Sequence, residues 1–197
     1  MSQSTGAAKP RLHHVNLKTC RLDDMIEWYG TVVGSSVQHR FPGGAWLTND
    51  DASHRIALLT SPKISDDPEK LGHSGLHHTA FEFESFDDLM KTYVRLSEVG
   101  IEPHACLDHG MTTSMYFVDP DGNSVELQAD NFGDWSQSSA YMRESPAFKR
   151  DPIGTPFDPR NVLDQWAAGV PLDELRRRVF AGEFKPSAPL DLRFPIG

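Results

Sequence analysis

With 197 residues, a net charge of −9 and a pI near 5.4, the chain has the size of one domain plus a tail, and no basic block that would suit nucleic acid. Its hydrophobic content of 38% and charged content of 24% are ordinary for a soluble globular protein. No apolar run is long enough to span a bilayer, so no membrane partner is expected. Cys20 and Cys106 are far apart and form no CxxC, which points to a reducing compartment without a disulfide framework. The N-terminus, MSQSTGAAKP, lacks the apolar core of a signal peptide, and the expected location is cytoplasmic.

Met1 to Lys9 is small and polar and reads as a disordered N-terminus. Leu12 to Lys18 alternates as a strand, with His14, Asn16 and Lys18 on one face and Val15 and Leu17 on the other. Asp23 to Val33 spaces Met25, Ile26, Tyr29, Val32 and Val33 as one helix stripe ending at Gly34. Strands are predicted at Ser36 to Phe41, Ala45 to Thr48 and His54 to Thr60, with Pro42-Gly43-Gly44 as a turn. A Pro-, Asp-, Ser- and Gly-rich linker follows, Ser61 to Ser74.

The pattern then recurs. Leu76 to Glu84 is a strand. Ser85 is the predicted N-cap of an amphipathic helix from Phe86 to Val99 that stops at Gly100. Strands are predicted at Ile101 to Ala105, Ser114 to Val118 and Ser124 to Ala129, with Asp119 to Asn123 as turn chemistry. The chain therefore reads as two βαβββ modules, about 10–60 and 75–130, in one paired unit spanning 10–130, followed by an extension over 131–197. Prolines in the extension restrict longer helices to Arg160 to Ala168 and Leu172 to Ala181; within the second, ELRRR reads as a solvated helix face. The extension either caps a cavity mouth, joins a subunit interface, or packs over an outer sheet face. The fold class is α+β.

Both first strands begin with Leu-His-His, in RLHHVNLKT and GLHHTAFEF, and His14 and His78 are 64 residues apart. One face of each such strand packs on its helix, and the other carries polar side chains that need water or a ligand. In NSVELQ, Val125 and Leu127 face the helices, leaving Ser124, Glu126 and Gln128 on the polar face. Two histidines and a carboxylate with open positions is the donor set of non-haem Fe(II) oxygenases.

The segments LHHVNL, SHRIALL, GLHHTAF and YFVDPDGNSVEL, in that order over roughly residues 11 to 130, resemble the vicinal oxygen chelate superfamily (glyoxalase, bleomycin resistance, dioxygenase), and within it the one-domain type I extradiol ring-cleaving dioxygenases. The resemblance implies a half-open mixed β-barrel around a metal, held by His14, His78 and Glu126, the second His of each pair being the ligand. His13 and His77 are then expected to pack against the module helices. His54, in HRIAL, matches the acid–base catalyst, and Tyr116 a tyrosine that bonds a metal-bound substrate oxygen. The family's further histidine falls nine residues before that tyrosine, where this chain has Leu107; His109, seven before, either substitutes for it or is a surface residue. His73 and His104 read as loop and edge residues.

Aligning YFVDPDGNSVEL with WLTNDDASHRIA at an offset of 70 sets Ile56 opposite Glu126. Glyoxalase-like members use a fourth ligand there, and isoleucine cannot supply one. The expectation is an Fe(II)-dependent (Mn(II) being the alternative ion) extradiol dioxygenase acting on a small aromatic diol and O2, in a homo-oligomer. The alternatives are a non-oxidative metal-dependent isomerase or lyase of the same fold, and a metal-free small-molecule binding protein.

Overall fold

The structure, a computed structural model, describes residues 8–195. Most of the N-terminal segment expected to be disordered, residues 1–7, lies outside the described residues; residues 8–14 carry no regular secondary structure. The chain divides into two compact units, the first ending at Ser65 and the second beginning at Asp66. Each unit holds one of the two expected βαβββ modules, and the C-terminal extension belongs to the second.

In the first unit, β1 (Val15–Thr19) is followed by α1 (Leu22–Val33), β2 (Ser36–Phe41), β3 (Gly44–Thr48) and β4 (Ile56–Thr60). The sheet order is β1-β4-β3-β2, with β1 and β4 parallel and the other pairs antiparallel. Helix α1 begins with Asp23 and Asp24 on its positive dipole end and stops at Gly34, whose φ of 69° a side chain would resist. It buries Met25, Tyr29 and Val32 against β3 and β4, where Ala45, Leu47, Ile56 and Leu58 point inward. The Met, Val, Leu and Ile side chains among these contribute about 1.5–3 kcal/mol of burial each. Gly44 is required by contact: a Cβ there would lie 2.1 Å from the Leu58 carbonyl oxygen.

The second unit repeats this with β5 (His78–Phe83), α2 (Phe86–Glu98), β6 (Ala105–Asp108), β7 (Thr112–Val118) and β8 (Ser124–Asp130). Ser85 caps α2 as predicted, its hydroxyl accepting from the Asp88 amide. Helix α2 buries Phe86, Leu89, Met90, Tyr93 and Leu96. The extension adds α3 (Trp135–Glu144), α4 (Pro146–Arg150), β9 (Thr155–Pro156), α5 (Pro159–Ala167) and α6 (Leu172–Phe180). The sheet runs β5-β8-β7-β6-β9, so the extension covers the open edge of β6.

Three expectations need correction. The sixth strand lies at Ala105–Asp108, not Ile101 to Ala105, because Pro103 has no amide for a ladder and pairing with β7 and β9 is available further on. Helices α3 and α4 exist although the prolines argued against them: Pro146 occupies the first turn of α4, where its missing N–H costs nothing. Strands β1 and β4 begin later than predicted, leaving His14 and His54 in the segments just ahead of them.

Candidate metal centre

In the first unit the chain enters β1 beside the start of β4, with the Val15 amide donating to the Arg55 carbonyl at 3.0 Å. The Arg55 side chain fixes both segments. Its Nε donates to Asp50 Oδ2 at 2.9 Å and its Nη1 to the His13 carbonyl at 2.9 Å. The bond from Arg55, with the Ala52 amide second, holds the Asp50 carboxyl down to about 2.

This bracing brings three imidazoles together. The His14 and His54 ring centroids are 4.3 Å apart, and His13 lies 5.4 Å from His14 and 5.2 Å from His54. One nitrogen from each falls within 4.8 Å of the others, a spacing that can hold a metal ion. Burial, then the neighbouring His14 and His13, push His54 below the ordinary imidazole range, which favours the neutral ring a proton acceptor needs. On the same sheet Trp46 stacks on His39 at 5.2 Å and lies 6.2 Å from His54.

In the second unit, strand parity does what the sequence reading expected. His78 pairs with Ser124, Ala80 with Glu126, and Glu126 in turn with Tyr116, so these side chains share one face. His78 Nε2 lies 3.0 Å from Glu126 Oε2. Tyr116 donates its hydroxyl proton to Glu126 Oε1 at 2.9 Å. His109 Nε2 lies 2.8 Å from that hydroxyl, while its Nδ1 lies 2.7 Å from the Ile153 carbonyl of the extension. Burial raises the Glu126 carboxyl, but its polar contacts with His78, Ser114 and Tyr116 outweigh it and keep the group below its usual value, hence ionised. Burial and the Glu126 charge hold the Tyr116 phenol well above its usual value, hence protonated.

The first unit therefore gathers His14 and His54, and the second gathers His78, Glu126, Tyr116 and His109. His109 is no isolated surface residue. His13 and His77 do not pack on the helices. Both are exposed, because they precede the strands and escape their alternation, and each turns its Nδ1 to the Nδ1 of its neighbour, at 3.1 Å for His13–His14 and 2.8 Å for His77–His78. His104, read as an edge residue, is half-buried and reaches Ser124 Oγ at 3.1 Å. The doubled Leu-His-His was the signal for these partners, but sequence alone does not tell a ligand from the residue that steadies it.

The fourth position also shifts. Trp46 pairs with Ala57 where Tyr116 pairs with Glu126, and Asn16 pairs with Ala57 where Ala80 pairs with Glu126. The counterpart of Glu126 is thus Ala57. Ile56 lies on the helix side, fully buried. Alanine offers a metal no more than isoleucine does.

His78 and Glu126, an imidazole and an ionised carboxylate on one sheet face, are donors that suit a divalent first-row cation. The 3.0 Å approach of His78 Nε2 to Glu126 Oε2 sets the two atoms close enough to share one cation.

A fold of paired βαβββ modules with histidines leading the first strands and a carboxylate on the last defines a class, and comparison with known proteins agrees. Residues 11–127 match the family model for the glyoxalase/bleomycin resistance protein/dioxygenase superfamily, and the chain belongs to that family. It is 40% identical over 182 residues to biphenyl-2,3-diol 1,2-dioxygenase 2 of Rhodococcus globerulus, covering 92% of this chain and 95% of that one. It is 41% identical over 172 residues to biphenyl-2,3-diol 1,2-dioxygenase 3 of the same organism, covering 87% and 90%. Among solved structures, a glyoxylase/bleomycin resistance protein/dioxygenase domain from Frankia sp. EAN1pec superposes with a TM-score of 0.54 at 21% identity, covering 64% of this chain and 96% of that one, which is a likeness of fold. Among the described residues no helix is long and apolar enough to cross a membrane.

Proposed function

We propose that the protein is an Fe(II)-dependent extradiol dioxygenase that opens the ring of a catechol-type diol with O2, giving a muconic semialdehyde-type product. The observation that carries this reading is the convergence of His78, Glu126, Tyr116 and His109 on one sheet face. It is supported by the two dioxygenase relatives, which match the chain over nearly its whole length.

The ligand set we propose is His14, His78 and Glu126. His14 and His78 lead the equivalent first strands of the repeat, Glu126 lies on the last strand of the second module, and Ala57, its counterpart, offers no donor. Bound iron would supply Lewis-acid activation of the diol and one-electron chemistry toward dioxygen. Mn(II) is accepted by the same donors.

The chain's own residues handle protons and position. His54, neutral and beside His14, takes a proton from a diol hydroxyl and later returns one. Tyr116 keeps its proton, which it donates to Glu126 here; turned from that carboxylate to an ionised substrate oxygen, the same O–H would steady it. His109 holds the Tyr116 hydroxyl in place from the far side. The balance is one diol plus one O2, both oxygen atoms entering the product as the ring bond beside the diol breaks.

The test is oxygen uptake by protein reconstituted anaerobically with Fe(II), using 2,3-dihydroxybiphenyl and catechol. Stoichiometric uptake with a yellow product is expected. Metal retained without uptake would favour a non-oxidative metalloenzyme, and no metal at all a binding protein. A homo-oligomer in the cytoplasm accompanies this reading, and light scattering tests the first part.

A further inference from the structure

Three histidines of the second unit end on backbone carbonyls of the C-terminal extension. His109 Nδ1 lies 2.7 Å from the Ile153 oxygen, His104 Nδ1 2.8 Å from the Asp191 oxygen, and His77 Nε2 2.9 Å from the Leu192 oxygen. A carbonyl only accepts, so each of these ring nitrogens carries a proton. In a neutral ring the other nitrogen is then a lone pair.

For His77 that lone pair is on Nδ1, 2.8 Å from Nδ1 of His78. A hydrogen bond there needs a proton, and His78 must supply it. His78 then carries its proton on Nδ1 and its lone pair on Nε2, the nitrogen 3.0 Å from Glu126 Oε2. Two lone pairs at that separation repel unless a cation sits between them.

We propose that the segment around Leu192 is a tautomer lock for a metal ligand. The Leu192 carbonyl fixes His77, His77 fixes the proton of His78 on Nδ1, and Nε2 of His78 is thereby committed to a cation shared with Glu126. His77 is a positioning residue in this arrangement. The proposal rests on the reading of His78 and Glu126 as ligands. A metal-bound histidine ordinarily has its other nitrogen held by a carboxylate, carbonyl or water; here a second histidine does it, relayed to the chain's C-terminal segment.

The segment is seated firmly enough for the role. Leu190 and Leu192 pack on Ala105, Leu107 and Tyr116. The Arg193 amide donates to Asp191 Oδ1 at 2.8 Å and its guanidinium to the Gly122 carbonyl at 3.2 Å. Arg193 also holds a φ of 51°, an unfavourable backbone conformation for a side-chain-bearing residue and a sign that surrounding contacts determine the path. The Phe194 ring centroid lies 6.1 Å from that of His77.

The first measurement is the ring-nitrogen NMR spectrum of the full chain loaded with diamagnetic Zn(II). His77 is expected to carry its proton on Nε2, and His78 on Nδ1 with a metal-shifted Nε2. A His77 proton on Nδ1 overturns the lock. The second is Zn(II) affinity of variants. His77→Phe is expected to weaken it about 10- to 100-fold, and His77→Asn, which keeps an oxygen acceptor for His78, to recover part of that loss. A His77→Phe affinity within twofold of the unaltered protein also overturns the lock. His78→Ala separates the two ideas. If it retains Zn(II) at full affinity, the ligand reading fails. If it loses Zn(II) while His77→Phe does not, only the lock fails.

Discussion

The guanidinium of Arg176, on α6, closes on the carboxylate of Asp108, at the end of β6, with Nε to Oδ2 at 2.9 Å. The Asp108 side chain is 1% exposed and that of Arg176 17%. Arg176 also donates to the Gly110 carbonyl, so one side chain spans the turn that carries His109. Removing Arg176 would leave a buried carboxylate uncompensated, which costs about 3–5 kcal/mol. Arg176→Met is therefore expected to lower stability by about 3 kcal/mol in urea titration, and adding Asp108→Asn to restore part of it. Equal destabilisation by the single and double variants would show that the pair is not coupled.

His54 and Tyr116 separate metal holding from turnover. His54→Phe should retain stoichiometric iron while kcat falls about 10²- to 10⁴-fold, the usual worth of a positioned acid–base group. Tyr116→Phe removes the proton that bridges to Glu126, and should likewise keep iron while slowing turnover. Metal analysis beside steady-state oxygen uptake checks both. Full turnover in either variant removes the role assigned to that residue.

Much of this arrangement was legible in the chain. The repeat, the capped α2 and the alternation of β8 placed Glu126 on the polar face because those elements follow local rules. What failed did so at ends of elements. His54 is expected to open a strand from His54 to Thr60, yet the strand begins at Ile56, and the histidine reaches His14 from a loop held by Arg55. The extension's carbonyl contacts to His77, His104 and His109 join residues 115, 87 and 44 positions apart, a separation no local pattern encodes.

Acid should act first on the brace of the first unit. The Asp50 carboxyl is lowered from 3.8 to about 2 by Arg55. A depressed folded-state value means that the unfolded chain takes up the proton more readily, so the contribution is full above pH about 4 and disappears as pH falls toward 2. Asp50→Asn should flatten the acid limb of the melting temperature against pH in that window. It should leave the curve above pH 5 parallel to that of the unaltered protein. An unchanged acid limb would mean that the Asp50–Arg55 contact does not persist in solution.

The shift from Ile56 to Ala57 makes a prediction of opposite sign at adjacent residues. Eleven residues separate Trp46 from its partner Ala57, against ten between Tyr116 and Glu126, so an alignment at constant offset misplaces the counterpart by one. In a strand one residue is the difference between faces. Ala57→Glu would set a carboxylate on the face that carries Trp46 and Asn16, where the family's four-ligand members hold their fourth donor. That variant should fold, bind Zn(II) at least as tightly, and lose oxygen uptake as the added ligand occupies a position the diol or O2 needs. Both positions are buried, Ile56 at 0% and Ala57 at 1% exposure, but Ile56→Glu would drive its charge into the packing beneath α1, on the face away from any cation, and should unfold the first unit. Circular dichroism and metal titration of the two variants decide the register: a folded Ile56→Glu protein with altered metal affinity, beside a disrupted Ala57→Glu protein, would return the fourth position to Ile56.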